Sequence, residues 1–211
     1  MEAGAILLSG GKSSRMGTNK ALLPISEQPN IERMASLLKP HFHDLILVTN
    51  NPDDYRFLQL TTVSDHYPGQ GPLAGIHAGL IASTNEVNVI AACDMPFISV
   101  ELAKTMMEQM DDYDAVVPVI HGKQHPLFSV FTKKTTPVIE ESIKNHRLRM
   151  KHVLDCLHVR YVTENDLPMY DDRQLERIFF NMNHPNEYEE ARKWAEAEDQ
   201  EGRSARCNFL K

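Results

Sequence analysis

The sequence predicts an α/β protein: a doubly wound, mostly parallel open sheet with an antiparallel edge in its second half. Three observations carry this. Short apolar runs such as Ala5-Ile6-Leu7-Leu8 read as strands buried on both faces. Segments with apolar residues at helical spacing alternate with them. The intervals between runs suit right-handed crossovers joining parallel neighbours. A chain of 211 residues is expected to form one domain over 1–211. With 42% hydrophobic and 24% charged residues, it is not disordered, collagenous or a coiled coil.

The elements follow in order. Strand 5–8 stops at Ser9-Gly10-Gly11. Ile31, Met34, Ala35 and Leu38 give a helix over 30–38. Strand 44–49 ends at Asn50-Asn51-Pro52, and a short strand is expected at 60–64. A helix over 75–83 follows the turn around Gly69, Gly71 and Pro72. Strand 88–93 runs straight into Asp94-Met95-Pro96. Next come helix 100–110, with Met106, Met107 and Met110 in the core, then strands 114–119 and 127–131. Helices are expected at 136–145 and 150–156, a strand at 159–162, and a last short strand at 179–183. A charged helix runs from Pro185 to about Glu198, anchored by Trp194, and a tail over 199–211 should fray. The less regular pattern after residue 114 places the antiparallel edge there.

Charge and cysteine usage exclude several classes. Against 22 Lys and Arg stand 29 Asp and Glu, a formal charge of −7, which argues against a nucleic-acid partner. Three cysteines without CxxC spacing suggest reduced thiols, with Cys93 a small core residue. No signal peptide or membrane-length apolar run appears, so a soluble cytoplasmic protein with no membrane partner is expected.

The segment Leu8-Ser9-Gly10-Gly11-Lys12-Ser13-Ser14-Arg15-Met16-Gly17-Thr18-Asn19-Lys20 reverses the local sign of charge. Lys12, Arg15 and Lys20 stand in a stretch with no acidic residue between Glu2 and Glu27. Glycines let free amides approach a ligand, and amides with three cations after a first strand suit a polyphosphate. Neither GxxxxGK[ST] nor GxGxxG can be read here. The competing reading is a Gly-rich turn with a solvated basic face. Chemistry on a triphosphate also needs a divalent metal, and Mg²⁺ takes one or two carboxylates plus phosphate and water oxygens. Asp94, closing an apolar strand, is the candidate metal ligand; its other reading is a helix cap, although Ser99 is the better cap. Asp65 ends the third strand and reads as a ligand contact or a turn aspartate. Asn50 reads as a base or ribose contact or an Asx-turn, with Thr49 and Asn51 as neighbours that could take its place.

The first loop resembles the nucleotide-binding loop of nucleotidyltransferases. Gly71-Pro72-Leu73-Ala74-Gly75, Cys93-Asp94-Met95-Pro96 and Asn181-Met182-Asn183-His184-Pro185 follow it in order. Together, over about residues 5 to 190, they resemble the molybdenum cofactor guanylyltransferase family. The resemblance implies transfer of GMP from GTP to molybdopterin with release of pyrophosphate. It implies that Leu8, Ser9, Gly10 and Gly11 offer backbone to GTP and that Lys20 binds phosphate. It places Asn50 and Asp65 on the guanosine side and Mg²⁺ on Asp94. Arg15, Gly71, Gly75, Asn181 and Asn183 join the wider catalytic and pterin-binding surface, with Arg15, Lys20 and Asp94 catalytic. Ser9 stands where Ala is commoner, and His184 where Thr is usual. His125 reads either as a pterin contact or as an ordinary turn histidine. Partners expected besides the substrates are other cofactor-biosynthesis proteins or apo-molybdoenzymes, with the chain a monomer. Alternatives are a cytidylyltransferase acting on the same pterin with CTP, a sugar-phosphate nucleotidyltransferase, or a non-catalytic nucleotide-binding delivery partner.

Overall fold

In a computed structural model, residues 2–10 and 19–208 are described, with side chains through Glu198. β1 (Gly4–Leu8) is buried along its whole length. Its side chains alternate between two cores: Ala5 and Leu7 enter one, Ile6 and Leu8 the other. That two-sided burial explains a strand with no polar positions.

A short hairpin, β2 (Pro24–Ile25) and β3 (Gln28–Pro29), leads into α1 (Asn30–Leu38). β4 (Asp44–Val48) follows, then a 3₁₀ segment Pro52–Leu58 that no periodicity announces, then β5 (Thr61–Val63). α2 (Pro72–Ala82) begins earlier than the expected 75. Gly71 takes φ 72° there, a left-handed value that glycine adopts without strain. β6 (Val87–Ala92) and α3 (Val100–Glu108) come next. The second half holds β7 (Ala115–Ile120), β8 (Lys123–Gln124), β9 (Phe128–Thr132), α4 (Thr136–Lys144), α5 (Met150–Leu154) and β10 (Val159–Thr163). α6 (Asp172–Ile178) and α7 (Pro185–Asn208) complete the chain.

Among the described residues the main sheet has the order β10-β7-β9-β6-β1-β4-β5, with β8 beside β7. β1 is parallel to β4 and β6, β4 to β5, and β7 to β10. The antiparallel pairing falls in the half where it was expected: β9 runs against both β6 and β7, and β8 against β7. α1, α3 and α6 cover one face through Met34, Leu102 and Leu175, and α2, α4 and α5 cover the other through Ile76, Ile139 and Val153. This is the doubly wound architecture.

Two expectations are corrected. Residues 179–183 form no strand: Phe179 caps α6, whose N-terminus carries a capping box of Asp171 and Gln174. The helix from Pro185 continues past Glu198 to Asn208. α7 docks through Ala191 and Ala195 on Ile25, Phe97 and Met182, with Trp194 against Phe97 and Phe180. Glu198 bridges Arg33 at 2.9 Å and Arg177 at 2.7 Å. No helix among the described residues is long and apolar enough to cross a membrane.

Candidate functional site

Sheet register levels the candidate residues. Leu8 pairs with Val48 and with Ala92, and Val48 pairs with Val63. Ladder bonds run one residue further, from Ser9 N–H to Val48 O (2.9 Å), Thr49 N–H to Val63 O (2.9 Å) and Cys93 N–H to Leu8 O (3.0 Å). Gly10, Asn50, Asp65 and Asp94 therefore each stand two residues beyond one continuous row. This is the carboxyl rim of the parallel strands, where open α/β sheets place their ligands.

On the β4–β5 side, Asn50 and Asp65 form a reciprocal pair. The Asn50 amide donates to Asp65 Oδ2 and the Asp65 N–H donates to Asn50 Oδ1, both at 3.1 Å. The local turn is instead served by Thr49, whose hydroxyl accepts from Asn51 N–H at 3.2 Å. Gly75 brings α2 down onto this corner. A Cβ there would sit 3.3 Å from a Leu8 methyl and 3.7 Å from Asp65 Oδ1. Gly71 lies exposed at the start of α2, and among the described residues a Cβ at Gly10 would meet nothing within 4 Å.

Asp94 occupies the β6 side. Ser99, not Asp94, caps α3, accepting from Leu102 N–H at 3.1 Å. The turn carrying Asp94 is pinned twice: Asn30 donates to Cys93 O at 2.6 Å, and Met182 N–H donates to Asp94 O at 2.8 Å. Its carboxylate atom Oδ1 is buried with no hydrogen-bond partner among the described residues. Burial pushes the Asp94 carboxyl above the usual range, and the nearby Lys20 ammonium pulls it part of the way back. Lys20 opens a 3₁₀ turn, Lys20–Leu22, and donates to Asn183 Oδ1 at 3.1 Å. Cation, carboxylate and the 181–183 segment thus meet. A hard oxygen left unpartnered beside a cation fits a divalent ion whose other ligands come from phosphate and water. No group of three His, Cys, Asp or Glu among the described residues offers a closed metal cage.

The 181–183 segment is held from below. Asn181 donates to Phe179 O at 2.9 Å, so its amide fixes the bend. Glu187 accepts from the N–H groups of Asn183 and His184 at the start of α7, leaving the His184 side chain exposed. The buried ring of His125 lies 4.4 Å from the Phe179 ring. Burial, with Lys123 and His121 nearby, lowers its pKa to about 4. His125 is therefore a neutral support beneath the segment. Burial likewise pushes the Cys93 thiol up to about 12, which rules it out as a nucleophile.

The sequence profile described as "MobA-like NTP transferase domain" matches residues 5–160. The chain belongs to the MobA-like NTP transferase family. It is 40% identical over 197 residues to a probable molybdenum cofactor guanylyltransferase of Pelotomaculum thermopropionicum, covering 93% of this chain and 95% of that protein. It is 34% identical over 188 residues to a molybdenum cofactor guanylyltransferase of Desulfosudis oleivorans, covering 88% and 92%. The crystal structure of molybdopterin-guanine dinucleotide biosynthesis protein A from Archaeoglobus fulgidus superposes with TM-score 0.80 at 24% identity, covering 92% of this chain and 99% of that one, and shares the fold.

In this NTP transferase, Leu8, Ser9, Gly10, Lys20, Asn50, Asp65, Gly71, Gly75, Asp94, Asn181 and Asn183 are described, while Gly11, Lys12 and Arg15 lie outside the described residues. Three further residues support the site without a signal in the sequence: Asn19, Asn30 and Tyr55. Asn30 stands at a helix start, and nothing local marks its side chain as buried. Asn19 caps the Lys20 turn, its Oδ1 accepting from Ala21 N–H at 3.2 Å. Tyr55, an aromatic among Pro52, Asp53 and Asp54, accepts from Ser9 Oγ at 2.6 Å and from the Asn19 amide at 2.7 Å. Ser9 thus uses its hydroxyl as well as its backbone.

Proposed function

We propose that this enzyme transfers GMP from GTP to the terminal phosphate of molybdopterin, using Mg²⁺ held on Asp94. A phosphate oxygen of the acceptor attacks the α-phosphorus of GTP, the α–β bridging bond breaks, and pyrophosphate leaves with that bond's electron pair. A phosphomonoester has a second pKa of about 6 and is already anionic near neutrality, so no general base is required. The convergence of Lys20, the unpartnered Asp94 oxygen and Asn183 at the carboxyl rim carries this reading.

Each residue has a role of its own kind. The backbone of Leu8, Ser9 and Gly10 borders the triphosphate, with Gly11 and Arg15 assigned to the same loop. Lys20 neutralises phosphate charge that grows in the transition state. A divalent ion bound to Asp94 would supply further charge neutralisation at phosphate oxygens. Asn50 holds Asp65 in place beside Gly75 and the open backbone at Gly71, which suits a nucleoside. A carboxylate there can accept from donors on a guanine edge. Asn183 orients Lys20, and Asn181 shapes the surface where the pterin would lie.

The test is pyrophosphate release from molybdopterin with either Mg-GTP or Mg-CTP. GTP should be the efficient donor, and Asp94→Ala should abolish release while the circular dichroism spectrum stays unchanged. Preference for CTP would overturn the base assignment. No release with either nucleotide would overturn the reaction.

A further inference from the structure

We propose that Tyr55 is a positioning residue for Lys20, acting through Asn19 from the far side of the sheet row. The idea rests on reading Lys20 as the phosphate-binding cation. Tyr55 belongs to the 3₁₀ segment that follows β4, so it comes from the same connection as the nucleoside-side Asn50. Its ring is packed in the core and only 2% exposed. Its hydroxyl oxygen takes two donors at once, Ser9 Oγ and Asn19 Nδ2. Ser9 is fixed independently, because its N–H is bonded to Val48 O. The phenol therefore ties Asn19 to the immobile end of β1.

Asn19 transmits the constraint. Its amide nitrogen is held by Tyr55, while its Oδ1 accepts from Ala21 N–H and starts the turn on which Lys20 stands. Rotating Asn19 would release that turn. Lys20 would then lose the backbone placement that lets its ammonium reach Asn183 and lie near Asp94. A long lysine side chain has many rotamers, so its direction depends on how firmly its backbone is held. Displacement of a charged group by about 1 Å can cost on the order of 100-fold in rate. A buried phenol with two donors on one oxygen is an efficient way to prevent it. Packing alone would need only a phenylalanine at this position.

Tyr55→Phe removes that oxygen and keeps the ring, so the fold should survive; Asn19→Ala tests the same link from outside the core. Two measurements decide. The first is trace acetylation of lysines in the nucleotide-free protein, read by peptide mass spectrometry. Both variants should raise labelling of Lys20 several-fold and leave Lys104 and Lys123 unchanged. Unchanged Lys20 labelling would overturn the proposal whatever the enzyme transfers. The second is a double-mutant cycle on the Kd for Mg-GTP. Tyr55→Phe should weaken binding about 10-fold alone but less than about 2-fold when Lys20 is already methionine. An equal loss in both backgrounds would mean that Tyr55 does not act through Lys20. Wild-type protein that binds no GTP would refute the nucleotide reading instead, and the labelling result would still judge the role of Tyr55.

Discussion

Asp94 combines two costs that serve one purpose. A carboxylate with a buried, unpartnered oxygen is less stable ionised than in water, which its raised pKa reflects. Its folded-state pKa lies above the unfolded one, so the native chain binds more protons in that window. Stability from this group falls as pH rises through the folded value. Asp94→Asn should therefore abolish turnover yet raise Tm at pH 7.5 by roughly 2–4 °C, about 1 kcal/mol for a chain of this size. The gain should disappear as pH falls toward 4, and calorimetry at two pH values checks it. His125 has the opposite sign. Its pKa is lowered from 6.5 to about 4, so the unfolded chain binds more protons between those values. The stability it contributes is present above about 6.5 and lost as pH falls to about 4, at most roughly 3 kcal/mol. Urea titrations should show wild type losing more stability than His125→Phe across that range, and parallel losses would sink the claim.

Between helix and sheet, close contact is what α2 requires. Its residues from Leu73 to Leu80 are all buried, so it has no polar face by which periodicity could orient it. Glycine sets the approach: a Cβ at Gly79 would lie 2.3 Å from Ile6 Cγ2. Gly79→Ala should push α2 off β1 and destabilise the protein by about 1–3 kcal/mol, measured by denaturant unfolding. Because the start of α2 also borders Asp65, the same variant should raise KM for GTP. Other elements vary in how readable they were. The Ser99 cap and the apolar runs of β1 and β6 are local signals, and they stand where expected. The capping box Asp171–Gln174 is an equally local signal, yet no helix is expected over 172–178, and the aromatic run at Phe179 and Phe180 reads as a strand. Among the described residues no strand pairs with it, and Met182 N–H instead bonds to Asp94 O. Apolar composition alone cannot distinguish a strand from a pinned loop.

Across the molecule, α7 ties the last segment of the site to the first. Trp194 is the one tryptophan of the chain and packs on Phe97 and Phe180 beside Met182. Its fluorescence should therefore unfold in the same transition as the helical circular dichroism signal. A separate early fluorescence transition would show that α7 and the sheet domain are not one cooperative unit. The alternating apolar runs, the cation-rich first loop and the order of its motifs were all legible in the chain, because backbone periodicity and charge composition act over a few residues. Lys20 and Asn183 are 163 positions apart, and Ser9 and Tyr55 are 46 apart. Strand order and register bring such pairs together, and these are set by packing of the whole sheet, which no local pattern encodes. The row from Leu8 to Val48, Val63 and Ala92 turns separate candidate residues into a single rim.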